Sequence, residues 1–254
     1  MIAIISPAKK LDSQSKVNTS QCTYPELLNK ANQLIEELRK FTPSDLEELM
    51  SISPQIAEQN YERFLRWDPE AHREGKQALF LFNGQVYAGL DAPSLDEKDI
   101  SFAQDHLRIL SGLYGVLKPL DLILPYRLEM GTKLPNPEGE NLYEFWGKQI
   151  TKKINESLKQ EKNPVLVNLA SQEYFKSIDS KSIDGKIISP VFKEKKGNQY
   201  KVIAIYAKKA RGLMSRYMIE NKLQDAEALK SFDLDGYIYN EELSSETNWV
   251  FTRR

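Results

Sequence analysis

The chain carries its hydrophobic residues in two patterns, short unbroken runs and longer stretches at helical spacing. Met1 to Ser6 is an apolar run ending in Ser-Pro, which reads as a buried strand that stops where proline removes a ladder donor. Pro164 to Leu169 is a second run of this kind, entering an Ala170-Ser171 turn. Tyr24 to Phe41 and Ser44 to Leu65 carry apolar residues at helical spacing, among them Leu27, Leu28, Ala31, Leu34 and Leu38, with Thr42-Pro43-Ser44 between them. Ala78 to Phe82 reads as a strand leading into an Asn83-Gly84 turn, with Val86 to Leu90 as its continuation. Asp99 to Leu110 looks helical, Leu120 to Pro125 is a short strand, and Thr151 to Gln160 is a helix. Lys186 to Phe192 and Gln199 to Ala207 have the spacing of an antiparallel hairpin around the basic turn Lys193 to Asn198. A helix over Ala207 to Leu223 and a strand over Trp249 to Thr252 close the chain. Helices and strands alternate, so the pattern predicts a single α/β domain over residues 1–254, a mixed sheet flanked by helices.

With 254 residues, 41% hydrophobic and 28% charged, the chain is long enough for one sizeable core. The single cysteine, Cys22, cannot form an internal disulfide, and the start of the chain lacks the pattern of a secretory signal, which points to a reducing cytoplasm. No stretch approaches the roughly 18 apolar residues of a membrane span, so no membrane partner is expected.

Net charge is −1, but its distribution is uneven. Between Lys186 and Arg216 there are nine basic residues against one acid, Glu194; between Glu220 and Glu246 there are eight acids against two lysines. A concentrated positive segment therefore sits inside a nearly neutral whole, and its location matters more than the total.

The most informative part of that segment is the helix after Tyr206. At 100° per residue Lys208, Lys209, Arg211, Gly212, Ser215 and Arg216 fall in one sector, with Ala210, Leu213, Met214 and Tyr217 opposite. An amphipathic surface helix explains this pattern plainly. The functional reading gains from the absence of an acidic partner in the sector, from the hairpin lysines including Lys193, and from Gly212, costly inside a helix, where a backbone or ligand could approach closely. A second constellation, Leu107 and Leu110 followed by Gly112-Leu113-Tyr114-Gly115, loosely resembles a helix-hairpin-helix whose glycine turn would offer N–H groups to DNA phosphates; a helix-ending glycine turn explains the string equally well.

Three further strings follow strand ends, where α/β ligand sites tend to lie. They are Ser6-Pro7-Ala8-Lys9-Lys10, the segment with Tyr126, Arg127 and Glu129, and Asn168 to Tyr174 with Ser171 and Glu173. Together they could line one polar cleft, although each alone has a structural explanation such as an Arg–Glu ion pair. His72 and His106 lie far from Cys22 and in no metal-ligand spacing, and no Walker or Rossmann glycine pattern occurs, so neither a metal nor a cofactor is expected.

The blocks ISPAKKLD, LFNGQVYAGLDA, LRILSGLYGVLKPLDLILPYRLEMGT, NLYEFW, NLASQEYF, AKKARGLMSRYMIE and WVFTRR, in that order, resemble the YaaA peroxide-stress family over essentially the whole chain. The resemblance implies an unusual α/β fold with a helix-hairpin-helix-like element. It also implies a cytosolic protein that protects against hydrogen peroxide and damage linked to unincorporated iron, and DNA, duplex or branched, bound in a positively charged cleft. Carried onto this sequence, it places Lys9, Asn83, Tyr87, Arg127, Lys208, Lys209, Arg211 and Arg216 in that cleft. Lys118 departs from the arginine commoner in the family, and lysine lacks the bidentate fork.

Two readings of function follow. In the first the protein binds DNA without strong sequence preference, using Lys208, Lys209, Arg211 and Arg216 on phosphates. In the second an enzyme acts on a nucleotide or flipped base, with Glu129 or Glu173 as general acid or base and a tyrosine such as Tyr126 stacking on the base. Direct iron sequestration ranks last, since no cluster of His, Cys, Asp and Glu supports it. The oligomeric state stays open, a monomer included.

Overall fold

The computed structural model describes residues 1–15 and 17–254. Its organising element is Ile2–Ile5, whose four residues are all buried, the composition expected of a strand covered on both faces. It pairs in parallel with Leu107–Ser111 on one side, Ile5 opposite Ile109, and with Val165–Leu169 on the other, Ile5 opposite Leu169. Lys186–Lys196 continues the parallel series beyond Val165–Leu169, and Asn248–Arg253 follows it. Three antiparallel strands complete this eight-stranded sheet: Gly115–Leu117 beside Leu107–Ser111, Ile238–Tyr239 beside Asn248–Arg253, and Gln199–Lys201 beside Lys186–Lys196. The mixed α/β sheet read from the sequence is thus present, and its buried apolar residues form one contiguous cluster from Met1 to Phe251.

Several segments differ from the sequence reading, each for a tertiary reason. Val86 to Leu90 is not a strand but part of the helix Gln85–Leu90, and Ala78–Leu81 is a single helical turn. Only Phe82–Asn83 is extended there, pairing with Lys10–Leu11. Val86 and Tyr87 favour strands intrinsically, but packing of this short helix on the long helix Ala204–Glu220 overrides that preference. Where the helices cross, Gly89 and Gly212 face each other's backbones: a Cβ on Gly212 would overlap the Val86 carbonyl, and one on Gly89 the Lys209 carbonyl. The close approach that Gly212 suggested is therefore to a neighbouring helix.

Asp99 to Leu110 divides into the helix Glu97–His106, opened by a capping box between Asp96 and Asp99, and the strand Leu107–Ser111. Ser44 to Leu65 divides into Pro43–Met50 and Pro54–Arg66, because Ser51 adopts a left-handed conformation and Pro54 begins a new helix. Gln199 to Ala207 is extended only to Lys201, and the long helix starts at Ala204.

The helix-hairpin-helix reading of 107–115 meets a different structure. Leu107–Ser111 and Gly115–Leu117 form a β-hairpin with every residue buried. Gly112 lies against the Leu128 backbone, and its carbonyl accepts a hydrogen bond from Trp146 Nε1 at 2.9 Å. Gly115 has a φ of +70° and the Trp146 ring packed on it. Both glycines are buried and answer to packing.

Candidate functional site

Ile2–Ile5 is flanked by two later strands, so the sheet changes winding direction there, and the crevice at the carboxyl ends of such strands is the usual ligand site of open α/β sheets. The residues after Ile5 and after Leu169 meet in that crevice. Ser171 N–H donates to Ser6 Oγ at 2.9 Å, and Ser6 Oγ–H donates to Ser171 Oγ at 3.3 Å, stitching the two strand ends together. Above this stitch opens a cavity of about 410 Å³.

Five separate stretches supply its walls. Ser6 to Lys10 and Phe82 to Tyr87 are tied together by the Lys10/Asn83 pairing. Tyr126 to Glu129 comes from the loop beyond Leu122–Ile123, and Ser171, Glu173 and Tyr174 from the turn after Val165–Leu169. The long helix adds Lys208 and Arg211. Eleven of the expected site residues thus converge: Lys9, Lys10, Asn83, Tyr87, Tyr126 and Arg127, together with Glu129, Ser171, Glu173, Lys208 and Arg211.

The floor is aromatic. Phe82 and Tyr87 lie 5.5 Å apart between ring centroids, and Tyr126 stands edge-on to Phe82 at 6.3 Å. Tyr87 OH donates to the Ser6 carbonyl at 3.1 Å, and Tyr126 OH shares a 2.6 Å hydrogen bond with Ser111 Oγ. Burial pushes the hydroxyls of Tyr87, Tyr126 and Tyr174 above the usual phenol range, so all three are neutral at physiological pH.

The rim is cationic. Glu129 bridges Lys9 at 2.9 Å and Arg127 at 3.2 Å, while Glu173 accepts from the Gly131 N–H at 2.9 Å. Arg127 reaches Glu129 through Nη2 alone, and its Nε is the one buried side-chain polar atom among the described residues that lacks a partner. Burial pulls the Arg211 guanidinium below its ordinary value, and no carboxylate among the described residues neutralises it. Keeping such a cation out of water without a counter-charge is unfavourable, and a bound anion removes that penalty.

The basic sector of the long helix does not face one way. Lys209 leaves the cavity for Asp235 at 3.6 Å. Arg216 is a clamp, donating to the carbonyls of Leu90 and Asp91 and to Ser94 Oγ, with Glu220 at 2.7 Å. Gly212 and Ser215 are buried. Lys193 belongs to the strand Lys186–Lys196, not to the turn, and lies outside the cavity, as do Gly112 and Gly115. Lys118 is also elsewhere, bound to Glu26 at 2.7 Å. Phe82 does not stand out in the sequence as ligand-facing, since it reads there as part of a strand.

A mixed α/β sheet thus carries a cation-rimmed, aromatic-floored cavity at the carboxyl ends of its parallel strands. The chain belongs to the family described as peroxide stress protein YaaA, whose sequence profile matches residues 1–243. It is similar to UPF0246 proteins of Alteromonas mediterranea (52% identity over 254 residues), Colwellia psychrerythraea (51% over 255) and Shewanella denitrificans (52% over 254). Each alignment covers all of this chain and 98 to 99% of the relative. Among the described residues no helix is long and apolar enough to cross a membrane, and no three His, Cys, Asp or Glu side chains cluster to hold a metal.

Proposed function

We propose that this protein binds DNA without strong sequence preference through the cationic cavity and the lysines around it, as part of the response to hydrogen peroxide. Membership of a peroxide stress family supports the setting. The observation that carries the DNA reading is the sorting of charge along 186–216. The acidic segment that follows folds back to neutralise Lys186 and Lys209 through Glu246 and Asp235, while Glu220, one turn along the same helix, pairs with Arg216. Lys193, Lys195, Lys196, Lys201, Lys208 and Arg211 keep no ion-pair partner among the described residues, so a polyanion finds positive charge still unneutralised along this stretch. Occupied DNA is shielded from peroxide and iron-linked damage at the sites the protein covers.

The second reading, an enzyme acting on a nucleotide, draws on one observation: two carboxylates, Glu129 and Glu173, line a cavity floored by neutral phenols. Fluorescence anisotropy of labelled duplex, single-stranded and junction DNA across a salt series separates the two readings. The binder reading expects a salt slope of several phosphates, lowered by about 0.9 for every phosphate that Lys208→Ala/Arg211→Ala no longer neutralises. Absence of binding, or a double variant that binds unchanged, overturns it and leaves the enzyme reading in its place.

A further inference from the structure

The cavity's hydrogen-bonding groups divide into those already engaged and those still free. The hydroxyls of Tyr87 and Tyr126 and the Ser6/Ser171 pair are engaged within the protein itself. Left over are the Asn83 and Gln85 amides, the Lys10 and Lys208 ammoniums, the Arg211 guanidinium and the Nε–H of Arg127. Four cations and two amides around an aromatic floor suit a ligand with an oxyanion at one end and a planar, hydrogen-bonding body at the other. The volume of about 410 Å³ lies within the range of small-molecule sites, about 300–1,000 Å³.

We infer that the cavity seats a single nucleotide unit, its phosphate taken by Arg127 and Arg211 and its base edge by Asn83, and that Glu129 is an internal placeholder for the phosphate. This deepens the DNA reading and rests on it for one of two sources of the unit, a nucleotide turned out of a strand; the other source is a free nucleotide. Without ligand, Arg127 touches Glu129 through Nη2 only and its Nε–H is unmet. An oxyanion that draws the guanidinium off Glu129 takes Nε–H and Nη2–H together, the two-point fork that arginine offers a phosphate and lysine cannot. Glu129 keeps Lys9 as its partner when Arg127 leaves. The base then lies against Phe82, as bases stack on aromatic side chains, within reach of an amide that can both donate and accept.

The test titrates dAMP and inorganic phosphate into wild type and three variants by calorimetry, with melting curves to verify folding. A parallel arm follows a duplex containing 2-aminopurine by fluorescence and anisotropy. Glu129→Gln is expected to bind dAMP more tightly, by about tenfold, because the placeholder has gone. In Glu129→Gln/Arg127→Lys that gain disappears. Asn83→Ala weakens dAMP while leaving inorganic phosphate unchanged. Tighter dAMP binding with dark 2-aminopurine assigns the free nucleotide as the source, and brightening on duplex binding that Asn83→Ala abolishes assigns the strand. A duplex that fails to bind while dAMP binds overturns the DNA reading and keeps the pocket. A duplex that binds with 2-aminopurine dark and dAMP no better than phosphate overturns the pocket and keeps the DNA reading, and weaker dAMP binding by Glu129→Gln overturns the placeholder.

Discussion

Lys208 and Arg211 lie within two turns of Lys209 and Arg216 on the same helix, yet the two pairs have opposite fates. Lys209 and Arg216 are absorbed by the protein's own acids and carbonyls. Lys208 and Arg211 line the cavity with no such partners among the described residues. Helical periodicity puts all four in one sector, so the difference arises from what each faces. The acidic stretch after Glu220 returns beside Lys209, the helix Gln85–Leu90 ends beside Arg216, and the cavity opens beside the other two. The sign of a helix face therefore says less about function than the charges the fold leaves without a partner.

The crossing of Gln85–Leu90 and Ala204–Glu220 holds both pairs in place. Gly212→Ala forces a methyl into the Val86 carbonyl and should cost about 3 kcal/mol or more, seen as a lower urea midpoint, and it should disturb both pairs together because the crossing positions them. Arg216→Ala separates them: removing hydrogen bonds to two carbonyls at the end of Gln85–Leu90 should cost about 1–3 kcal/mol in chemical denaturation. Lys208→Ala/Arg211→Ala should do the reverse, lowering the salt slope of DNA binding while changing stability by about 0.5 kcal/mol or less. Lys209→Ala, which removes a half-exposed ion pair, should change stability by about 0–1 kcal/mol and leave the salt slope alone.

A pH experiment sharpens the same contrast away from the cavity. Hydrogen bonds from Lys118 and Lys153 hold the Glu26 carboxyl down at about 2 against an ordinary 4.5. A depressed acid adds stability that is present above its unfolded value and is lost as pH falls through the folded one. Acid unfolding should therefore steepen between pH 4.5 and about 2, and Glu26→Gln should flatten that limb in melts followed by circular dichroism.

The parallel strands were legible because burial on both faces leaves apolar runs, unbroken in Ile2–Ile5 and interrupted only by Asn168 in Val165–Leu169. The cavity was legible to a similar degree: Lys9, Arg127 and Ser171 follow strand ends, and ligands gather there in open α/β sheets. The sequence reading failed where a short segment takes its shape from a distant partner. Gln85–Leu90 is helical because Gly89 lets it lie on Gly212, more than a hundred residues away, and nothing local signals that contact. The glycines of 112–115 resembled a phosphate-binding turn because glycine spacing alone does not distinguish a turn open to solvent from one packed under Trp146.

The stitch between Ser6 and Ser171 spans 165 residues, and the wall carrying Lys208 and Arg211 arrives later still. During synthesis the chain emerges from its first residues onward, so Ser6 waits for most of the polypeptide before Ser171 reaches it, although Ile5 already has Ile109 beside it. The cavity is therefore among the last features to be completed, and a nascent or prematurely ended chain stopping short of residue 204 displays Lys9 and Arg127 without the helix that closes the site around them.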